Sequence, residues 1–220
     1  MEDRPGRAHR QGGPLARLAH LGPLEHAQAR PGDLRPGHPA HRRALRGQRV
    51  RPGLPGVTGT PAPRELAVLR HGQAHPAAPG GDDAARELTD HGRAEARRAG
   101  RQLAARWGAV DHVLHSSAVR TTQTWQEMAG ELPAVAAEAV WPTPQVYEAG
   151  LVELLAALGD LPDEARQVVL VGHAPGVPTL VGHLTGVWPE GWATGEVGVL
   201  ALPDDLAWAD LHEGCAARLG

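Results

Sequence analysis

Three short segments carry side chains that could act together on an anionic group. Arg70-His71-Gly72 directly follows the apolar run Leu66-Ala67-Val68-Leu69. A neutral imidazole is available near pH 7 and can serve as a nucleophile. The adjacent guanidinium can grip a phosphate through its planar fork, and Gly72 lets the backbone approach an anion closely. Ser116-Ser117-Ala118-Val119-Arg120-Thr121-Thr122-Gln123-Thr124 puts Arg120 in the first turn of an expected helix, where free N–H groups and positive potential favour anions. Val171-Gly172-His173-Ala174-Pro175-Gly176 places a second histidine after another apolar run. Taken singly, each segment has a plainer reading: a chance tripeptide in an Arg-rich chain, a solvated helix-start Arg with ordinary Ser and Thr caps, and a core histidine. Taken together, two His and two Arg could surround a phosphoryl group, one His attacking and the others neutralising its oxygens.

The surrounding elements must bring these segments to one place. Leu66–Leu69 predicts a buried strand, His112–His115 a second and Val168–Val171 a third, the clearest in the chain. Helices are expected from Thr89 or Asp90 to about Trp107, over Val119–Glu131, Leu151–Leu158 and Val177–Leu184. Pro76–Asp83 reads as a loop, and Pro133–Pro144 as irregular with a short strand near Val140. Glu196–Leu202 and Leu206–Leu211 are expected as two final strands. Strands alternating with helices argue for an α/β fold, a three-layer α/β/α sandwich around a mostly parallel sheet. In such sheets ligands gather at the carboxyl ends of strands, where all three segments would fall.

The order and spacing of these segments resemble the histidine phosphatase superfamily, which includes phosphoglycerate mutases and the SixA-type phosphohistidine phosphatases. Leu69-Arg70-His71-Gly72-Gln73-Ala74 resembles the first family motif, and Leu88-Thr89-Asp90-His91-Gly92 its Leu-Thr-x-x-Gly segment. Ser116 through Thr124 fits Ser-x-x-x-Arg-x-x-x-Thr, and Val171-Gly172-His173 fits the second-histidine motif. The resemblance spans residues 65–220. It implies a phosphoglycerate mutase-like fold and a covalent phosphohistidine on His71, with phosphate bound by Arg70, Arg120 and His173. It also implies that His173 steadies the transferring group, and it implies no metal or organic cofactor. Many relatives use a carboxylate to protonate the leaving oxygen. Glu148 is the candidate here, and it reads equally well as a surface residue opening the next helix. Mutases carry Ser, Trp and Asn after the first motif, where this chain has Gln73-Ala74-His75-Pro76, so mutase activity is not expected. The compact length and Val197-Gly198-Val199-Leu200-Ala201-Leu202 resemble the SixA branch. The expected partner is then a phosphorylated substrate, either a phosphohistidine protein or a small phosphate ester. A non-catalytic phosphate- or phosphoprotein-binding module is the reading from another class, although the four core residues are all present.

Composition separates residues 1–63 from the rest. The first part has 11 Arg against 4 acidic residues, and the remainder has 11 Arg against 21. The first part is dense in Gly, Pro and His and has no sustained apolar period. It is therefore expected to be a disordered tail, or else an over-extended gene start. It lacks aromatic residues that would stack on bases, so nucleic acid is not the expected partner. The single Cys215 excludes an intramolecular disulfide framework and a Cys-based zinc site. No apolar run reaches the roughly 18 to 20 residues needed for a membrane span, and the expected location is cytoplasmic. With no Phe in the chain, most of its six Trp are expected in the core.

Overall fold

The computed structural model describes residues 63–219. The N-terminal tail expected from the sequence lies outside the described residues. Six strands form one sheet: β1 (Glu65–Arg70), β2 (His112–His115), β3 (Val140–Pro142), β4 (Gln167–Gly172), β5 (Val197–Ala201) and β6 (Ala217–Leu219). Their spatial order is β3-β2-β4-β1-β5-β6. The first four run parallel, β5 is antiparallel to β1, and β6 is antiparallel to β5. Four helices cover the two faces: α1 (Asp90–Ala104), α2 (Val119–Ala129), α3 (Leu151–Gly159) and α4 (Gly176–Thr185). This is the expected three-layer arrangement.

The strand sequences follow from burial on both faces, which favours continuous apolar runs over alternation. In β1, Leu66 and Val68 point into the core beneath α3 and α4, while Ala67 and Leu69 point into the core beneath α1 and α2. In β4, Val168 and Leu170 join the first core, and Val169 and Val171 join the second. All eight are fully buried, which fixes the central pair of strands as the best-anchored part of the sheet.

Helix α1 starts where the Thr89 hydroxyl accepts the Gly92 N–H at 3.0 Å, the expected cap. It ends three residues short of Trp107. The chain tightens there, with the Trp107 N–H donating to Leu103 O at 2.8 Å, and the Trp107 side chain turns inward to reach the Glu65 carboxylate. Helix α2 likewise stops at Ala129, where a turn takes over from Met128.

The largest departure from expectation is Leu206–Leu211, which is not a strand. Residues Trp208–Asp210 form a single 3-10 turn that drops Trp208 into the core, with its indole N–H on Ala165 O at 3.1 Å. The last strand is β6 instead, an edge strand pairing with β5. Among the Trp residues, 107, 125, 192 and 208 are buried as expected, whereas Trp188 is 60% exposed. Among the described residues no helix is long and apolar enough to cross a membrane.

The end of β1 can only meet α1 because two glycines face each other. A Cβ on Gly72 would lie 2.4 Å from Gly92 O, and one on Gly92 would lie 2.0 Å from Gln73 O. Gly92→Ala should therefore force α1 away from the turn after His71. We expect it to destabilise the protein by about 1–3 kcal/mol in urea unfolding. Gly108→Ala, where an added Cβ meets nothing within 4 Å, should leave the transition unchanged.

Candidate active site

The adjacent strands β1 and β4 send the chain to opposite faces, into α1 and α4 respectively. A crevice opens between their carboxyl ends, as it does wherever an α/β sheet reverses its winding. Parallel pairing sets Arg70 opposite Gly172. The His71 N–H then donates to Gly172 O at 3.1 Å. The rings of His71 and His173 consequently stand edge to face, 5.1 Å apart. Arg120 arrives from the first turn of α2, and Glu148 from the segment before α3.

The crevice holds a cavity of about 260 Å3 whose wall includes Arg70, His71, Asp83, Arg86, Arg120, Glu148, His173 and Thr194. A larger groove of about 580 Å3 lies between the end of α1 and strands β5 and β6. Its lining holds no His and no carboxylate, so it assembles no comparable chemistry.

His71 is held in one tautomer. Its Nδ1 lies 2.8 Å from Gly72 O, which requires a proton on Nδ1. Its Nε2 accepts from Arg120 Nε at 3.3 Å, which requires a lone pair on Nε2. The ring is thus neutral with its lone pair beside a guanidinium. Burial pushes the His71 pKa down to about 4, and the charges of Arg120, Arg70 and Arg86 push the same way against the Gly72 hydrogen bond. His173 is pushed down to about 3, first by burial and then by His71 and Arg120.

His173 Nε2 lies 2.8 Å from Ser116 Oγ. The Ser116 oxygen already accepts the Ala118 N–H, so its hydroxyl is available to donate to Nε2. That tautomer leaves a proton on Nδ1, which is buried without a partner among the described residues. A buried donor without a partner is costly, so it is suited to a ligand oxygen. Arg70 is similar: Nη1 donates to Trp192 O at 2.8 Å, while Nε is buried and unpartnered.

Two further ties hold the frame. The Thr124 hydroxyl accepts from Gly72 N at 3.1 Å and donates to Arg120 O at 2.6 Å, joining the turn after β1 to α2. The buried Glu95 carboxylate accepts from Gln73 N at 2.7 Å and from the Thr194 hydroxyl at 3.1 Å. Glu148 itself is exposed and has φ 49°, a left-handed conformation rare for a residue with a side chain. The neighbouring Ala149 carbonyl packs so closely on α4 that a Cβ on Gly176 would lie 2.2 Å from it.

The structure thus brings together all five residues singled out from the sequence: Arg70, His71, Arg120, Glu148 and His173. Four others went unassigned there, namely Asp83, Arg86, Tyr147 and Thr194. Asp83 bridges three of the side chains at the mouth. Its Oδ1 accepts from Arg86 Nη1 at 2.9 Å, and its Oδ2 accepts from Arg120 Nη2 at 2.9 Å and from the Tyr147 hydroxyl at 3.0 Å. These donors, Arg86 first, hold its carboxyl down to about 2. In the sequence Asp83 merely closes a Pro/Gly/Asp-rich stretch, and no spacing marks it.

Residues 66–143 match the family model of the histidine phosphatase superfamily, branch 1. An uncharacterized protein of Mycobacterium tuberculosis is 31% identical over 143 residues, covering 61% of this chain and 87% of that relative. The chain belongs to the histidine phosphatase superfamily. Within it, solved SixA structures are similar over most of the described fold. The putative phosphohistidine phosphatase SixA of Nakamurella multipartitia is 30% identical, covers 71% of this chain and 93% of its own, and superposes with a TM-score of 0.62. Its counterpart from Agrobacterium tumefaciens is 29% identical, covers 64% and 92%, and gives 0.58. The matched family region contains Arg70, His71, Asp83 and Arg120. Glu148 and His173 lie beyond it and join the site only through the fold.

The depressed histidines can be tested directly. Nitrogen-detected NMR of the imidazoles should find His71 neutral at pH 6 with its proton on Nδ1. His71 should titrate near 4 and His173 near 3. Protonation only near the ordinary value of about 6.5 would contradict the burial argument. The sign for stability follows: between about 6.5 and 4 the unfolded chain takes up protons that buried His71 refuses, so stability should fall as pH drops through that window.

Proposed function

We propose that this chain is a phosphatase that works through a covalent phosphohistidine on His71, with residues 64–220 as the catalytic unit. The observation that carries the proposal is the state of His71. Its Nδ1 is tied to Gly72 O, and its Nε2 lone pair faces the cavity wall formed by Arg120. A neutral ring needs no base before it attacks.

In the first step the Nε2 lone pair forms a bond to phosphorus as the bond from phosphorus to the leaving atom breaks. Arg70, Arg120 and the Nδ1–H of His173 bind the phosphoryl oxygens and neutralise charge as it develops. Glu148 gives its proton to the leaving atom. In the second step a water takes the place of the leaving group. Glu148 takes the water's proton, the oxygen bonds to phosphorus, and the N–P bond breaks. Inorganic phosphate departs and His71 is neutral again. The left-handed backbone at Glu148 supports this role, since such conformations persist where the surroundings enforce them and cluster at functional sites.

Similarity to the SixA structures supports a protein-borne phosphohistidine as substrate. With that substrate the leaving atom is an imidazole nitrogen, which needs less help from an acid than an alkoxide does. A small phosphate ester is the second choice, and it makes the larger demand on Glu148.

Turnover of an alkyl phosphate ester and of a phosphohistidine-bearing protein tests the proposal. His71→Ala should lose turnover of both. Glu148→Gln should slow alkyl ester hydrolysis by about 10²- to 10⁴-fold while affecting phosphohistidine hydrolysis less. Activity that survives the loss of His71 would overturn the mechanism. Equal losses on both substrates in Glu148→Gln would remove the assignment of phosphohistidine as the less acid-dependent substrate.

A further inference from the structure

We propose that Asp83 is a placeholder anion, occupying the donors of Arg120 that a phosphoryl group must take and leaving them when that group binds. The proposal rests on the reading of the crevice as a phosphate site. It adds a residue that sets how strongly, and which, anions bind there.

Arg120 offers two adjacent donors, Nε and Nη2, on the side of its guanidinium facing His71. Nε reaches His71 Nε2 at 3.3 Å. Nη2 is taken by Asp83 Oδ2 at 2.9 Å, and the remaining nitrogen, Nη1, donates to Asp83 O at 2.7 Å. A phosphoryl group bonded to His71 Nε2 would put an oxygen within reach of Nε. A second phosphoryl oxygen could complete the fork only at Nη2, where the carboxylate now lies. Two oxygens held by one fork is the arrangement that makes Arg an effective phosphate binder. Nη2 carries two N–H groups, but a carboxylate and a phosphoryl dianion held at the same nitrogen repel each other, so the two anions compete for Arg120.

Three features make the exchange workable. Arg120 is 4% exposed, so its charge is buried and needs an anion whether or not substrate is present. The Asp83 side chain is 41% exposed and can be rehydrated when it leaves. It also sits on a one-turn 3-10 helix, Asp83–Ala85, that follows an exposed Pro/Gly-rich stretch over residues 76–82. Asp83 stays ionised throughout the neutral range, so the competition is constant there.

Selectivity follows from the same exchange. A simple carboxylate ligand would replace one carboxylate by another and gain little. A phosphoryl dianion brings more charge and a third oxygen, which can use the unpartnered nitrogens of Arg70 and His173. Asp83 thus sets a threshold that only an anion of phosphoryl type passes.

Titration of inorganic phosphate into the full chain, followed by calorimetry at neutral pH, tests this. Asp83→Asn keeps the shape and an acceptor for Arg120 but removes the charge. It should bind phosphate about fivefold to twentyfold more tightly than the wild type. Asp83→Ala should change affinity in the same direction, which guards against an idiosyncratic effect of Asn. The gain should vanish in an Arg120→Ala background, where the contested donors are gone. Equal or weaker phosphate binding in both Asp83 variants would overturn the proposal, because a residue that merely props Arg120 in place gives that sign. The reading of the crevice as a phosphate site fails separately if Arg120→Ala alone binds phosphate as well as the wild type.

Discussion

The parallel pairing of β1 with β4 is the constraint on which the rest of this molecule depends. It sets Arg70 against Gly172 and lays the next residues of both strands side by side at one sheet edge. His71 and His173 face one crevice because their strands are neighbours in space, although about a hundred residues of chain separate them. A slip of one residue would turn each side chain to the opposite face of the sheet. Since both strands are apolar on both faces, the side-chain pattern alone holds the register weakly. The turn after β1 adds the missing definition. Gly72 and Gly92 meet without Cβ atoms, and Thr124 and Glu95 take the N–H groups of Gly72 and Gln73.

Charge is the second organising principle. The crevice wall carries Arg70, Arg86 and Arg120, and burial together with these charges favours the neutral form of both imidazoles. The same burial that makes His71 a poor proton acceptor keeps its lone pair ready beside three cations. Those cations need a counter-charge, which Asp83 supplies from the mouth, with Tyr147 and Arg86 holding its carboxylate in position. The site is thus complementary to an anion before any ligand arrives, and its donors are already aimed.

Much of this was legible in the sequence, for identifiable reasons. Strand β2 was expected at His112–His115 and is found there, because a short apolar run between turn residues leaves few alternatives. Arg70, His71, Arg120 and His173 stand directly at or after strands or in a helix's first turn, so their convergence follows from topology alone. Asp83 could not be found in this way. Its position depends on how an exposed loop folds back across the sheet edge, and no periodicity encodes that path. Leu206–Leu211 misled for a different reason. It is a short, mostly apolar run, which sequence alone does not separate from a strand, and Trp208 instead drops into the core in a 3-10 turn. Glu148 was visible as a carboxylate but not as a left-handed residue, because backbone conformation at a non-glycine position leaves no mark in composition.

The most direct measurement is to trap the phosphorylated protein. The wild type would be mixed with an aryl phosphate, quenched in alkali within milliseconds, digested and analysed by mass spectrometry. A covalent mechanism on His71 requires one phosphoryl group there, stable to alkali and lost in acid, that forms before free phosphate accumulates. Hydrolysis with no phosphorylated residue at any time point, or a phosphoryl group on His173 instead, would contradict it.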